Sequence, residues 1–100
     1  MERGGYARLL SIIRGNIEGD RTLLVDAGDF SMGTLFHTTF MTEAAELRLM
    51  AAMGYDVMTF GNHDFDFGQQ AIRERREQAG FPFLGANIRL RDSGALPDYV

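Results

Sequence analysis

Residues 22–29 read Thr22-Leu23-Leu24-Val25-Asp26-Ala27-Gly28-Asp29, and residues 56–64 read Asp56-Val57-Met58-Thr59-Phe60-Gly61-Asn62-His63-Asp64. Each stretch is apolar nearly throughout, then passes through glycine into carboxylate, amide or imidazole. Continuous apolarity without alternation marks a strand buried on both faces, as in a parallel sheet. A third stretch, Phe81-Pro82-Phe83-Leu84-Gly85-Ala86-Asn87, repeats the pattern. Strands are therefore expected at 22–26, 56–60 and 82–86, with Pro82 at the entry of the third, where its missing N–H is tolerated.

Helical periodicity fills the intervals. From Gly5 to about Glu18, Tyr6, Leu9, Leu10, Ile13 and Ile17 recur at three- and four-residue steps, with Gly19 as the stop. A second helix, capped by Thr42, buries Leu47, Met50, Ala51 and Met53 and ends at Gly54. Residues 33–40 add an irregular or short helical piece before it. A third, more polar helix spans Gln69 to Ala79, with Asp66 and Gln69 as a capping-box-like start and Arg73–Glu77 facing solvent. Residues 88–100 read as a loop leaving the third strand. Strands joined by long helical crossovers make an α/β fold with a parallel sheet, and ligands of such sheets gather at the carboxyl ends of the strands. Both polar clusters fall at those ends.

Composition narrows the function classes. Ten Lys and Arg against fourteen Asp and Glu give a net charge of −4, which argues against a nucleic-acid polymer as partner. The absence of cysteine excludes disulfides, Fe–S clusters and thiolate zinc sites. No apolar run approaches the roughly 20 residues of a membrane span, and the first residues lack the layout of a signal peptide.

The clusters are DAGDFSMG, residues 26–33, and GNHDFDFG, residues 61–68. Glycine lets backbone approach a ligand closely, while carboxylate, amide oxygen and imidazole suit a pair of divalent ions holding a phosphate. Adjacent strands lie about 5 Å apart, so their end loops can share one centre. Plainer readings stand beside this one. Asp29 can cap a turn, Asn62 can occupy a left-handed turn position, and Asp66 can serve as a helix N-cap. Asp26 reads as turn-forming or as a support behind the ligands. His37 and Arg8 read as surface or packing residues, and Met50, Met53 and Met58 as core filling.

The same residues carry a resemblance. GD followed by Gly33, then GNHDFD after an apolar strand, resembles two motif blocks of the calcineurin-like metallophosphoesterases. The GGYARL, LLVDAGD, AMGYD and LGANI segments are similar to the bacterial 5′-nucleotidase branch, over roughly Gly4 to Ile88. The resemblance implies part of a metallophosphoesterase α/β sandwich, with a metal-activated water releasing phosphate from nucleoside monophosphates. The alternatives it implies are a cyclic-nucleotide phosphodiesterase or nucleotide-sugar hydrolase of the same superfamily.

Position by position, the resemblance makes Asp29 the carboxylate bridging two divalent ions (Mn, Zn, Fe, Co or Mg) and Asn62 a ligand of one of them. It places His63 beside the phosphate and makes Asp66 the carboxylate that orients His63. Asp64 matches an acidic position with no direct metal bond. The family's Asp-x-His block is expected before Gly4 and its later histidine blocks beyond residue 100. Residues 1–100 thus read as a partial catalytic domain, inactive alone; the alternative from another class is a non-catalytic truncated fragment with at most weak metal binding. In the parent protein it is expected to act with its remaining segments and a C-terminal substrate-binding domain, in the periplasm, outside the cell or at its surface.

Overall fold

A computed structural model describes residues 4–30 and 44–100. Three short parallel strands form one sheet in the order β1 (Val25–Asp26), β2 (Val57–Thr59), β3 (Phe83–Leu84). Val25 pairs with Val57 and Asp26 with Met58; Met58 then pairs with Phe83 and Thr59 with Leu84. The strands are shorter than expected: β1 keeps only the last two residues of 22–26, and β2 and β3 are trimmed at both ends. Beyond the ladder, Asp56 N–H donates to the Leu24 carbonyl at 2.9 Å, and Leu24 N–H to the Asp56 carboxylate at 2.8 Å. Pro82 stands at the entry of β3, its carbonyl accepting from Met58 N–H at 3.1 Å.

The helices are α1 (Tyr6–Asn16), α2 (Ala45–Met53) and α3 (Gly68–Ala79). Parallel strands need long crossovers, and α2 and α3 lie in the two that join β1 to β2 and β2 to β3. One sheet face carries Met58 and Phe83, packed in a core with Leu47, Met50 and Met53 of α2 and Ile72 and Ala79 of α3. The expected core methionines are all buried. Glu46, not Ala51, is the further buried residue of α2. Gly54 ends that helix in a left-handed conformation, as its position implied. Thr42, residues 33–40 and His37 lie outside the described residues.

Two expectations about burial need correction. Among the described residues nothing packs on the other sheet face: Leu23, Val25 and Leu84 are 69%, 54% and 49% exposed, and Val25, Val57, Thr59 and Leu84 line a shallow apolar groove of about 320 Å³. Helices cover one side of the sheet, so strands with the composition of a two-sided core are buried on one side. On α1, which ends at Asn16 ahead of Gly19, Ile13 is buried with Tyr6 and Leu10 beside it, whereas Leu9 and Ile17 are exposed. That helix meets the core mainly through α2, and a single contact cannot bury the full apolar stripe.

Residues 88–100 are irregular, as read, yet they return to the core. Leu90 and Ala95 close a turn, and the chain then lays Tyr99, 2% exposed, against Phe60 with ring centroids 5.8 Å apart in an edge-to-face arrangement. Arg73 bonds Asp98 through Nε at 2.8 Å and lies over the Tyr99 ring, so its partner is Asp98 rather than Glu77. The ion pair is exposed and contributes little; the buried ring carries the anchorage. Tyr99→Ala is expected to cost about 3 kcal/mol, measured by denaturant unfolding, whereas Asp98→Ala should cost less than about 1 kcal/mol.

Candidate active site at the strand ends

The loops after β1 and β2 meet at the carboxyl end of the sheet, and two glycines set how closely. Gly28 has φ 94°, and a Cβ there would strike Gly61 N, with Phe60 C at 2.5 Å and Gly61 Cα at 2.9 Å. A Cβ on Gly61 would run into the Asp29 carboxylate, with Asp29 N at 2.7 Å. Any side chain would wedge the loops apart, so both positions require glycine.

Asp26 closes the first turn by accepting the Gly28 N–H at 2.8 Å, the turn-forming role that its position allowed. Asp29 follows with φ 61°, in the left-handed region. Its Oδ1 accepts the His63 N–H at 2.9 Å, joining the first loop to the second. Asp64 is buried, and its Oδ2 accepts N–H bonds from Asp29 and Gly61, each at 2.9 Å. Burial pushes its carboxyl above the usual range, against the two N–H bonds that favour the anion. Asn62 is exposed and opens a 3-10 turn over His63–Phe65.

That turn places the imidazole. In a 3-10 helix, side chains three apart eclipse, and His63 Nδ1 stands 2.9 Å from Asp66 Oδ2. The capping alternative for Asp66 is not adopted: α3 begins at Gly68 after Phe67, without a side-chain cap. The carboxylate raises the His63 pKa above its ordinary value, chiefly through the hydrogen bond, with the Asp66, Asp29 and Asp64 charges adding to it and partial desolvation opposing it. In the metal-free chain, His63 should titrate above about 6.5 by NMR, and Asp66→Asn should lower that value. Because the folded pKa is the higher one, this contribution to stability is full below the unfolded pKa and is lost as pH rises through the folded value.

The loops thus bring Asp29, Asn62, His63 and Asp66 to one exposed edge, with Asp26 and Asp64 holding the backbone behind them. Phe60 braces the second loop from below, its ring 5.4 Å from both Phe65 and Phe83. Among the described residues, no three His, Cys, Asp or Glu side chains are grouped to hold an ion. Asp29 and Asn62 are hard oxygen donors of the kind divalent ions take, so these loops fit part of a ligand set.

Residues 2–95 match the family model described as calcineurin-like phosphoesterase. The chain belongs to the calcineurin-like phosphoesterase family. This family generally uses a divalent metal pair. Among curated relatives, the calcineurin-like chain is 40% identical to a probable 5′-nucleotidase of Treponema pallidum over 86 residues, covering 85% of this chain and 14% of that protein. It is 38% identical to the 5′-nucleotidase of Bos taurus over 91 residues, covering 88% of this chain and 16% of the relative. The solved structure of Haemophilus influenzae NAD nucleotidase (NadN) superposes with a TM-score of 0.78 at 29% identity, over 96% of this chain and 19% of that one. The calcineurin-like chain therefore spans about one-seventh to one-fifth of these three proteins. No helix among the described residues is long and apolar enough to cross a membrane.

Sequence reasoning found the chemical groups but not the contacts that order them. The Phe60–Tyr99 brace escaped it, since a tyrosine in a polar tail carries no periodic signal.

Proposed function

We propose that the protein carrying this chain is a divalent-metal-dependent phosphoesterase of 5′-nucleotidase type, hydrolysing nucleoside 5′-monophosphates to nucleoside and phosphate. The observation that carries the reading is the closure of the two strand-end loops, in which Asp29 accepts the His63 N–H while His63 Nδ1 meets Asp66. Asp29 and Asn62 would hold the ions, as bridging carboxylate and neutral amide. A divalent pair, when bound, supplies Lewis-acid polarisation of the phosphoryl group and a nucleophilic water near neutral pH. His63, with Nδ1 turned to Asp66, keeps Nε2 for the phosphate side. There it offsets charge on the transferring group or gives its proton to the ester oxygen as the P–O bond breaks. Asp66 fixes the ring and favours the protonated form.

The open sheet face and the short span relative to known nucleotidases support a larger catalytic domain. Its remaining strands and histidine ligands, with a separate substrate-binding domain, would come from other parts of the polypeptide. Similarity to a snake venom 5′-nucleotidase, 38% identical over 92 residues, supports an exported protein. The likeness to an NAD nucleotidase favours a second reading, hydrolysis of larger nucleotides such as dinucleotides or nucleotide sugars, in which a phosphoanhydride rather than an ester is cleaved. Chromatographic product analysis after incubating the full-length protein with AMP, NAD, a nucleotide sugar and a cyclic nucleotide separates these. AMP gives nucleoside and phosphate, whereas the first cleavage of the other three gives a nucleoside monophosphate. AMP turnover is expected to dominate, and absence of phosphate release from AMP with cleavage of NAD or the nucleotide sugar would replace the first reading by the second.

A further inference from the structure

Asp64 lies beneath both loops, 3% exposed, and its Oδ1 is buried with no hydrogen-bond partner among the described residues. Its Oδ2 takes two N–H donors, from Asp29 and from Gly61, at 2.9 Å each. The donors follow different strands, so one oxygen ties the end of β1 to the end of β2. Asp29 is held at φ 61°, a conformation that L-residues disfavour and that its N–H bond to Asp64 retains. The Asp29 carboxylate returns a bond across the same gap to His63 N–H. Each loop is thus anchored by an acid of the other, and Gly61 leaves the space for it. Burying a carboxylate is costly unless it is hydrogen-bonded, and here its two bonds converge on the backbone that carries Asp29 and His63.

We infer that Asp64 is a positioning residue: by holding the Asp29 and Gly61 amides on one oxygen, it aims the Asp29 carboxylate and fixes His63 relative to it, without touching substrate. Its catalytic consequence rests on the phosphoesterase reading; the backbone tie does not. Asp64→Asn keeps an acceptor oxygen and the shape, whereas Asp64→Ala removes both bonds.

The test uses isotope-labelled full-length protein together with steady-state kinetics on AMP. In the wild type, the Asp29 and Gly61 amide protons should lie downfield and exchange slowly, since both donate to a carboxylate. In Asp64→Asn both should move upfield together, because they share one acceptor. Asp64→Ala should lower kcat by about tenfold or more, with KM changed less than about twofold, and Asp64→Asn should recover most of the loss. An Asp29 or Gly61 amide that stays in place in Asp64→Asn overturns the tie, even if Asp64→Ala fails to fold. A kcat for Asp64→Ala within about twofold of wild type overturns the positioning role. A wild type that turns over no phosphoester yet shows the paired shifts contradicts the phosphoesterase reading and upholds the tie.

Discussion

Replacing Gly28 by alanine is expected to destabilise the protein by about 2–5 kcal/mol, more than any other single methyl group added to these two loops. Two costs add. At φ 94° an L-residue is strained by about 1–2 kcal/mol. The added Cβ also meets backbone, with Phe60 C at 2.5 Å and Gly61 Cα at 2.9 Å. Backbone cannot rotate away as a flexible side chain can, so relief requires the loops to part, and overpacking of this kind costs about 1–3 kcal/mol. Gly61→Ala differs in what it strikes. Its Cβ meets the Asp29 carboxylate, which can swing aside by breaking its bond to His63 N–H, and also Asp29 N at 2.7 Å, so the loops must part there as well, by less than for Gly28. Denaturant unfolding and phosphate release, measured on both variants, should separate them. Gly28→Ala loses mainly stability, whereas Gly61→Ala loses activity out of proportion to its stability. Unfolding midpoints unchanged from wild type in Gly28→Ala would contradict the close approach of the two strand ends.

Asp29→Asn should lower kcat for nucleotide hydrolysis on the order of 10³-fold while leaving stability within about 1 kcal/mol. The amide keeps an oxygen for the His63 N–H, so the connection between the loops survives. What it loses is the negative charge that, in the proposed site, would bind the divalent ions. Metal content by mass spectrometry should fall in parallel with kcat, and circular dichroism should stay unchanged. Asp29→Ala would also orphan the His63 N–H and mix the two effects, which makes the asparagine variant the more informative one. If Asp29→Asn retained both its metal and its turnover, the carboxylate would be a turn residue and nothing more.

The parallel sheet was legible because apolar runs alternating with helical periodicity leave few topologies. The two clusters were legible because glycine, carboxylate, amide and imidazole recur together at strand ends. The role of Asp66 was not decidable from sequence. Its spacing suits a cap for α3 and a partner for His63 equally, and only the 3-10 turn over His63–Phe65 selects the second. Burial is not legible where it depends on what packs from outside: Val25 and Leu84 have the composition of a two-sided core, yet both are about half exposed. Helical spacing pairs Arg73 with Glu77, but the returning tail brings Asp98 to its Nε at 2.8 Å. Such long-range contacts leave no local pattern.

Loops that supply ligands to one shared metal centre make hydrolysis depend on the metal and on both loops. The most direct measurement is phosphate release from AMP by metal-stripped full-length protein during titration with Mn²⁺, wild type beside Asn62→Ala. Activity should be absent without metal and restored in the wild type, with Asn62→Ala needing about tenfold more Mn²⁺ or more. Hydrolysis that persists without metal, or one Mn²⁺ curve shared by both proteins, would contradict a shared centre.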